Sequence, residues 1–154
     1  MRVASREREA VCLLIDRARV TAASHWSDAD VRRYMASVPA ELLDELLALR
    51  RARASVDEAA AAAREGELAE RMRSQRLAGC ALVIGELAVD GRDLQATLGI
   101  AEGPAIDLIL ERLLADVIED PSLYQRVPLL TRAGLIFDEL VQGGGGGSER
   151  QRME

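Results

Sequence analysis

Apolar residues recur at helical spacing along most of this chain, and the breaks between the runs carry cap and turn residues. Ser5 opens the first predicted helix, which reaches about Val20 with Ala10, Val11, Leu14 and Ala18 on its buried side. After His25-Trp26, Ser27 is a good N-cap. Asp28 and Asp30 then sit in the positive first turn of the helix DADVRRYMASV. Pro39 starts another helix, carried by Leu42, Leu43, Leu46, Leu47 and Leu49 to about Arg53. The loops are too short for anything but neighbouring packing, so residues 1–54 read as one helical unit. Ser55 is expected to cap a connecting helix over 55–79 with an alanine run and a Glu67–Arg71 pair. Gly66 inside it costs roughly 1 kcal/mol relative to alanine without having to break it, and Gly79 ends it.

The second half is organised around Leu87 to Pro121. Gly91 precedes Arg92-Asp93-Leu94, Gly99 closes a short apolar segment, and Gly103-Pro104 opens a long amphipathic helix that Pro121 ends. Proline suits a first helical position because the N–H it lacks would be unsatisfied there anyway. Ile106, Leu110, Leu113 and Val117 share one face, while Arg112 is placed to pair with Asp116. The pattern predicts a short helix, a glycine turn, and a helix whose N-terminus lies close to its neighbour. Cys80 to Ile84 is an apolar bridge with no strand partner in sequence, and Pro128 opens a last helix through Val141. The fold class is therefore all-α. A tail domain is expected over 80–141, with a flexible glycine-rich segment over 142–154.

Composition sharpens this. The chain of 154 residues is 49% hydrophobic but only 3% aromatic, which favours helices packed through aliphatic side chains. All 20 basic residues are arginine and asparagine is absent, a pattern that GC-rich coding explains without any nucleic-acid ligand. The net charge of −6 argues against a general nucleic-acid coat. Residues 1–85 hold 14 arginines against 13 acids, whereas residues 86–154 hold 6 against 13. Cys12 and Cys80 are too few for a disulfide framework or metal site, and Cys12 reads as a small buried hydrophobe. No apolar run approaches the ~18 residues needed to span a bilayer. No secretory segment stands at the start, so a cytoplasmic location is expected.

The order G-x-D-L, an apolar segment ending in glycine, then Gly-Pro and a leucine-rich helix ending Asp-Pro resembles the tail of bacterial class II tRNA nucleotidyltransferases. These are the CCA-adding enzymes and their poly(A) polymerase relatives. Gly91, Asp93, Leu94, Gly99, Gly103, Pro104, Leu110, Leu113, Leu114, Val117 and Pro121 match that pattern. Where the family usually has proline and then glycine around the Gly-Pro step, this chain has Glu102 and Asp107. Upstream, Trp26-Ser27-Asp28, Val31-Arg32-Arg33 and Leu49-Arg50-Arg51-Ala52 resemble the region before the family's tail, with Arg53 where an aspartate is expected. The resemblance runs over residues 5–141 and implies a chain lacking the catalytic head.

It follows that no catalytic residue, metal or cofactor is expected. The family's nucleotidyl transfer needs a Gly-Ser loop and paired aspartates on a strand, and neither is present. Asp28-Ala29-Asp30 has the right spacing but opens a helix. An HD-type metal site fails for want of histidines: His25 is the single one, and it reads as a surface residue. Trp26 reads as a packing anchor ahead of a base-stacking platform. Arg32, Arg33, Arg50 and Arg51 form a candidate phosphate-facing patch, set against the plainer reading of solvated faces and ion pairs. Arg92 and the helix start at Gly103 are the tail's candidates for RNA contact. There Glu102 and Asp107 are placed to occupy the donors and repel phosphate, and close helix packing is the plainer role for the glycine. The resemblance implies a headless relative, non-catalytic alone: either a tRNA-binding subunit that serves a separate catalytic nucleotidyltransferase chain or a truncated, degenerating copy. The alternative is a protein-interaction or oligomerisation module that has lost RNA.

Overall fold

The computed structural model describes residues 2–20, 25–57 and 59–144. Among them the chain is helical throughout, with no strand, so the all-α expectation holds. Seven α-helices are present: α1 (Arg2–Ala18), α2 (Asp28–Ala36), α3 (Leu43–Asp57), α4 (Ala59–Leu77), α5 (Gly91–Leu98), α6 (Pro104–Glu119) and α7 (Arg126–Gly144). Single 3-10 turns lie at Ala40–Leu42, Ile84–Glu86 and Pro121–Leu123. The helices gather into two compact units, Met1–Leu82 and Val83–Glu154. No helix of the described residues is long and apolar enough to cross a membrane. Of the glycine-rich tail, Gln142 to Gly144 continue α7, and the remainder lies outside the described residues.

In the first unit α4 packs against α3 and α2, and α1 against α3. The core is aliphatic: Val31 and Met35 from α2, Leu46 from α3, Ala69 and Met72 from α4 are fully buried. Ser27 caps α2 as its sequence position indicates. Its hydroxyl accepts from the Asp30 amide while the Asp30 carboxylate accepts from the Ser27 amide at 2.8 Å.

Four expectations change here. The segment read as a connecting helix is part of the first unit, burying Leu68, Ala69 and Met72 against it, and the chain divides after Leu82. Ser55 is inside α3, which continues to Asp57; the leucine face of α3 and its Ala-Arg run outweigh the weak local preference of serine for a cap. Arg71 bridges to α2 through Asp28 at 2.8 Å and the Trp26 carbonyl at 2.8 Å, in place of the pair with Glu67. Cys12 is exposed, as is Val11. α1 packs on α3, and it is the stripe through Leu14 and Ala18 that this contact covers.

The second unit is a three-helix arrangement around α6. Ile106, Leu110, Leu113 and Val117 are buried along its predicted face, opposite Leu129, Ala133 and Ile136 of α7. Ion pairs at Arg112–Glu139 (3.2 Å) and Arg132–Asp116 (2.6 Å) show that α6 and α7 run antiparallel. They also replace the expected Arg112–Asp116 pair: Asp116 is better served by Arg132 across the helix contact. The glycine turn is present, with Gly99 in the left-handed region (φ 66°) as the C-cap of α5. Gly91 lies so near α6 that a Cβ there would stand 3.2 Å from Ile106 Cγ2, which is the close approach the sequence implies.

Candidate functional site

Each Arg-Arg pair lies on a helix, where neighbouring residues point about 100° apart. One member of each pair therefore turns inward. Arg50 is 2% exposed, and its guanidinium donates from Nε and Nη2 to the two Glu65 oxygens at 2.7 and 2.8 Å. Its Nη1 donates to the Val20 carbonyl at 2.7 Å and the Tyr34 hydroxyl at 3.0 Å. Arg32 is buried and donates to Gln75 Oε1 at 2.8 Å. Arg33 and Arg51 remain exposed, Arg33 bridging to Asp30 at 2.6 Å. The four-arginine patch expected from sequence is thus corrected: Arg32 and Arg50 are internal fastenings, and only Arg33 and Arg51 face solvent.

Arg53 shares that structural work. It donates to the Ala18 carbonyl at 2.5 Å, and Arg50 donates to the Arg17 carbonyl at 3.3 Å. The last carbonyls of α1 are satisfied by cations from α3, that of Arg17 also accepting from the Val20 amide at 3.2 Å. Arg53, where the sequence resemblance led us to expect an aspartate, is here a helix-end donor. Among the described residues no three His, Cys, Asp or Glu side chains converge as a metal-binding group.

Arg92 and Gly103 do come together, lining one open cleft of about 630 Å³ between the starts of α5 and α6. Asp90, Glu102 and Asp107 line it as well, so one guanidinium faces three carboxylates. Asp90 caps α5, accepting from the amides of Arg92 (2.9 Å) and Asp93 (3.0 Å). Pro104 opens α6, and no side chain caps Gly103. The expectation that Glu102 and Asp107 occupy the first donors of α6 is therefore not met, although both line the cleft. Asp93 completes the capping box and takes both Nη atoms of Arg126, at 2.8 and 2.5 Å. These bonds, led by the one from Arg126, hold its carboxyl below the ordinary carboxylate value.

A second depression, of about 410 Å³, lies on the first unit. Its lining includes Arg17, His25, Trp26, Asp30, Arg33 and Tyr34. The Tyr34 hydroxyl donates to the Arg17 carbonyl at 2.9 Å, and burial pushes its pKa upward. The Trp26 and Tyr34 rings are 5.4 Å apart at 58°. Sequence reasoning passed over Arg17 and Tyr34. The signal was slight: an aromatic on the apolar face of a helix beginning with the capped Ser27, and an arginine with no acid three or four residues away.

Neither a protein-family model, a curated protein nor a solved structure matches this chain.

Proposed function

We propose that the chain is the non-catalytic body-and-tail part of a tRNA nucleotidyltransferase-like protein. It binds tRNA weakly through its first unit and leaves nucleotide addition to a separate catalytic chain. The observation that carries this reading is the junction of α5 and α6, where the residues of the resemblance meet in specific roles. Gly91 allows the close approach to Ile106, Asp93 closes the cap, Leu94 is fully buried, Gly99 takes the left-handed turn and Pro104 starts α6. Charge then favours the first unit for the RNA, because the cleft at Arg92 and Gly103 is acidic.

The test is titration of tRNA at about 50 and about 200 mM salt, where each lost phosphate contact lowers the salt slope. A dissociation constant of roughly 10⁻⁴–10⁻⁶ M is expected at physiological salt. Arg33→Gln with Arg51→Gln should weaken binding more than Arg92→Gln with Arg112→Gln. Purified protein with magnesium should add no labelled CTP or ATP to tRNA lacking its 3′ end; addition above background, resisting contaminant controls, overturns the non-catalytic reading. The withdrawal of Arg32 and Arg50 into the interior favours a second reading, a protein-interaction module that has lost RNA. It takes the lead if tRNA fails to bind even at low salt.

A further inference from the structure

We propose that the depression on the first unit is a nucleotide site, with Arg17, Arg33 and His25 taking the phosphate and Trp26 supplying a face for the base. Arg17 is the anchor of the argument. Its Nε is buried and makes no hydrogen bond. A guanidinium whose Nε finds no acceptor in the fold is not committed to that fold, and a phosphate oxygen is an acceptor that its planar fork fits well.

The nearby acceptors are already engaged. The Arg17 carbonyl takes bonds from Tyr34 and Arg50, the Ala18 carbonyl from Arg53, and the Val20 carbonyl from Arg50. Asp30 is committed to the Ser27 amide at 2.8 Å, the Ser27 hydroxyl at 2.7 Å and Arg33 at 2.6 Å. The charged lining is two guanidiniums against that one carboxylate, with the His25 imidazole beside them, in a chain of net charge −6. Such a local excess of positive charge attracts an anion despite the acidic whole.

The aromatic component narrows the anion to a nucleotide. Trp26 is half-buried beside Tyr34, and Arg71 holds its backbone carbonyl at 2.8 Å, so the backbone that carries the indole is anchored before any ligand arrives. An aromatic face stacks any base, because every base has a π-face. A free mononucleotide and the end of an RNA strand present the same chemistry, so the site stands independently of the RNA reading above.

Trp26 is the sole tryptophan, which makes its emission a direct report on the depression. Titration with AMP should change that emission saturably, and adenosine and inorganic phosphate should each bind more weakly than AMP. Arg17→Gln and Arg33→Gln should each reduce AMP affinity roughly tenfold, the loss of one charge-assisted bond. Circular dichroism establishes that each variant is folded. Should Arg17→Gln not fold, the exposed Arg33→Gln and His25→Ala carry the test. Binding of both AMP and tRNA, each weakened by these changes, places a strand end in the depression. AMP binding without tRNA binding keeps the site and removes the RNA reading. Binding of tRNA with unchanged Trp26 emission and no AMP binding removes the site and keeps the RNA reading. No saturable change up to about 10 mM AMP, weaker than any useful affinity, overturns the proposal. So does AMP affinity indifferent to Arg33→Gln and His25→Ala.

Discussion

The two units are both helical, yet they handle charge in opposite ways. The first takes arginine inside: Arg32 and Arg50 are the buried charged residues of the described chain, and α1 ends on cations from α3. The second keeps its interior aliphatic and its ion pairs outside, at Arg112–Glu139, Arg126–Asp93 and Arg132–Asp116. Their clefts differ in the same sense, the charged lining being two arginines and one carboxylate in the first, and one arginine and three carboxylates in the second. An arginine count therefore says little about ligands until burial divides the structural guanidiniums from the accessible ones.

The sharpest way to break the comparison is Arg50→Met. Losing the guanidinium strands Glu65 and the carbonyls at the end of α1. Removing one partner of a buried pair costs about 3–5 kcal/mol. Urea unfolding followed by Trp26 emission should show it, and adding Glu65→Leu should recover much of the loss. A cost under about 1 kcal/mol would mean that the network is ornamental to the first unit. In the second unit the comparable weak point is packing. Leu113→Ala removes a fully buried side chain between α6 and α7 and should cost about 2–5 kcal/mol, read by circular dichroism.

Smaller effects refine the contrast. Asp90→Ala removes the cap of α5 and should cost about 1 kcal/mol in the same melts, with little change in Trp26 emission. Arg126→Gln should have the least effect, and its size depends on pH. Because Asp93 is held below its ordinary value, chiefly by Arg126, the bond contributes stability above about pH 4. That contribution fades as pH falls through the lowered value. The stability gap between wild type and variant should be full near neutral pH and close in acid. A gap that persists in strong acid would assign the effect of Arg126 to something other than Asp93.

Much of this fold was legible because its signals are local. The i, i+3, i+4 face of α6, the Ser27 cap, the Gly99 turn and the proline at the start of α6 each act within a few residues. What could not be read depends on which side of a helix meets another. α1 carries two adjacent apolar stripes, Leu14 with Ala18 and Val11 with Ile15, and only its packing on α3 selects the first. Arg50 looks like any surface arginine until Glu65, fifteen residues away, and the end of α1 arrive around it. Of the candidate site, Arg92 and Gly103 do meet in one cleft, as the motif spacing implies. Arg17 was missed because its importance lies in an unmet bond, which no sequence pattern displays.

The enclosure of Arg50 also sets a clock within the first unit. Its Nε, Nη1 and Nη2 are all engaged at 2% exposure, so bulk water rarely reaches their protons. Guanidinium protons on solvated arginines trade with water too quickly to persist as separate nuclear magnetic resonance signals. Those of Arg50 should stand apart as slowly exchanging lines, and their lifetime should follow the free energy needed to part α1, α3 and α4. One side chain would thus time the opening of its unit without a label, and the described arginines of the second unit, none of them buried, would show no counterpart.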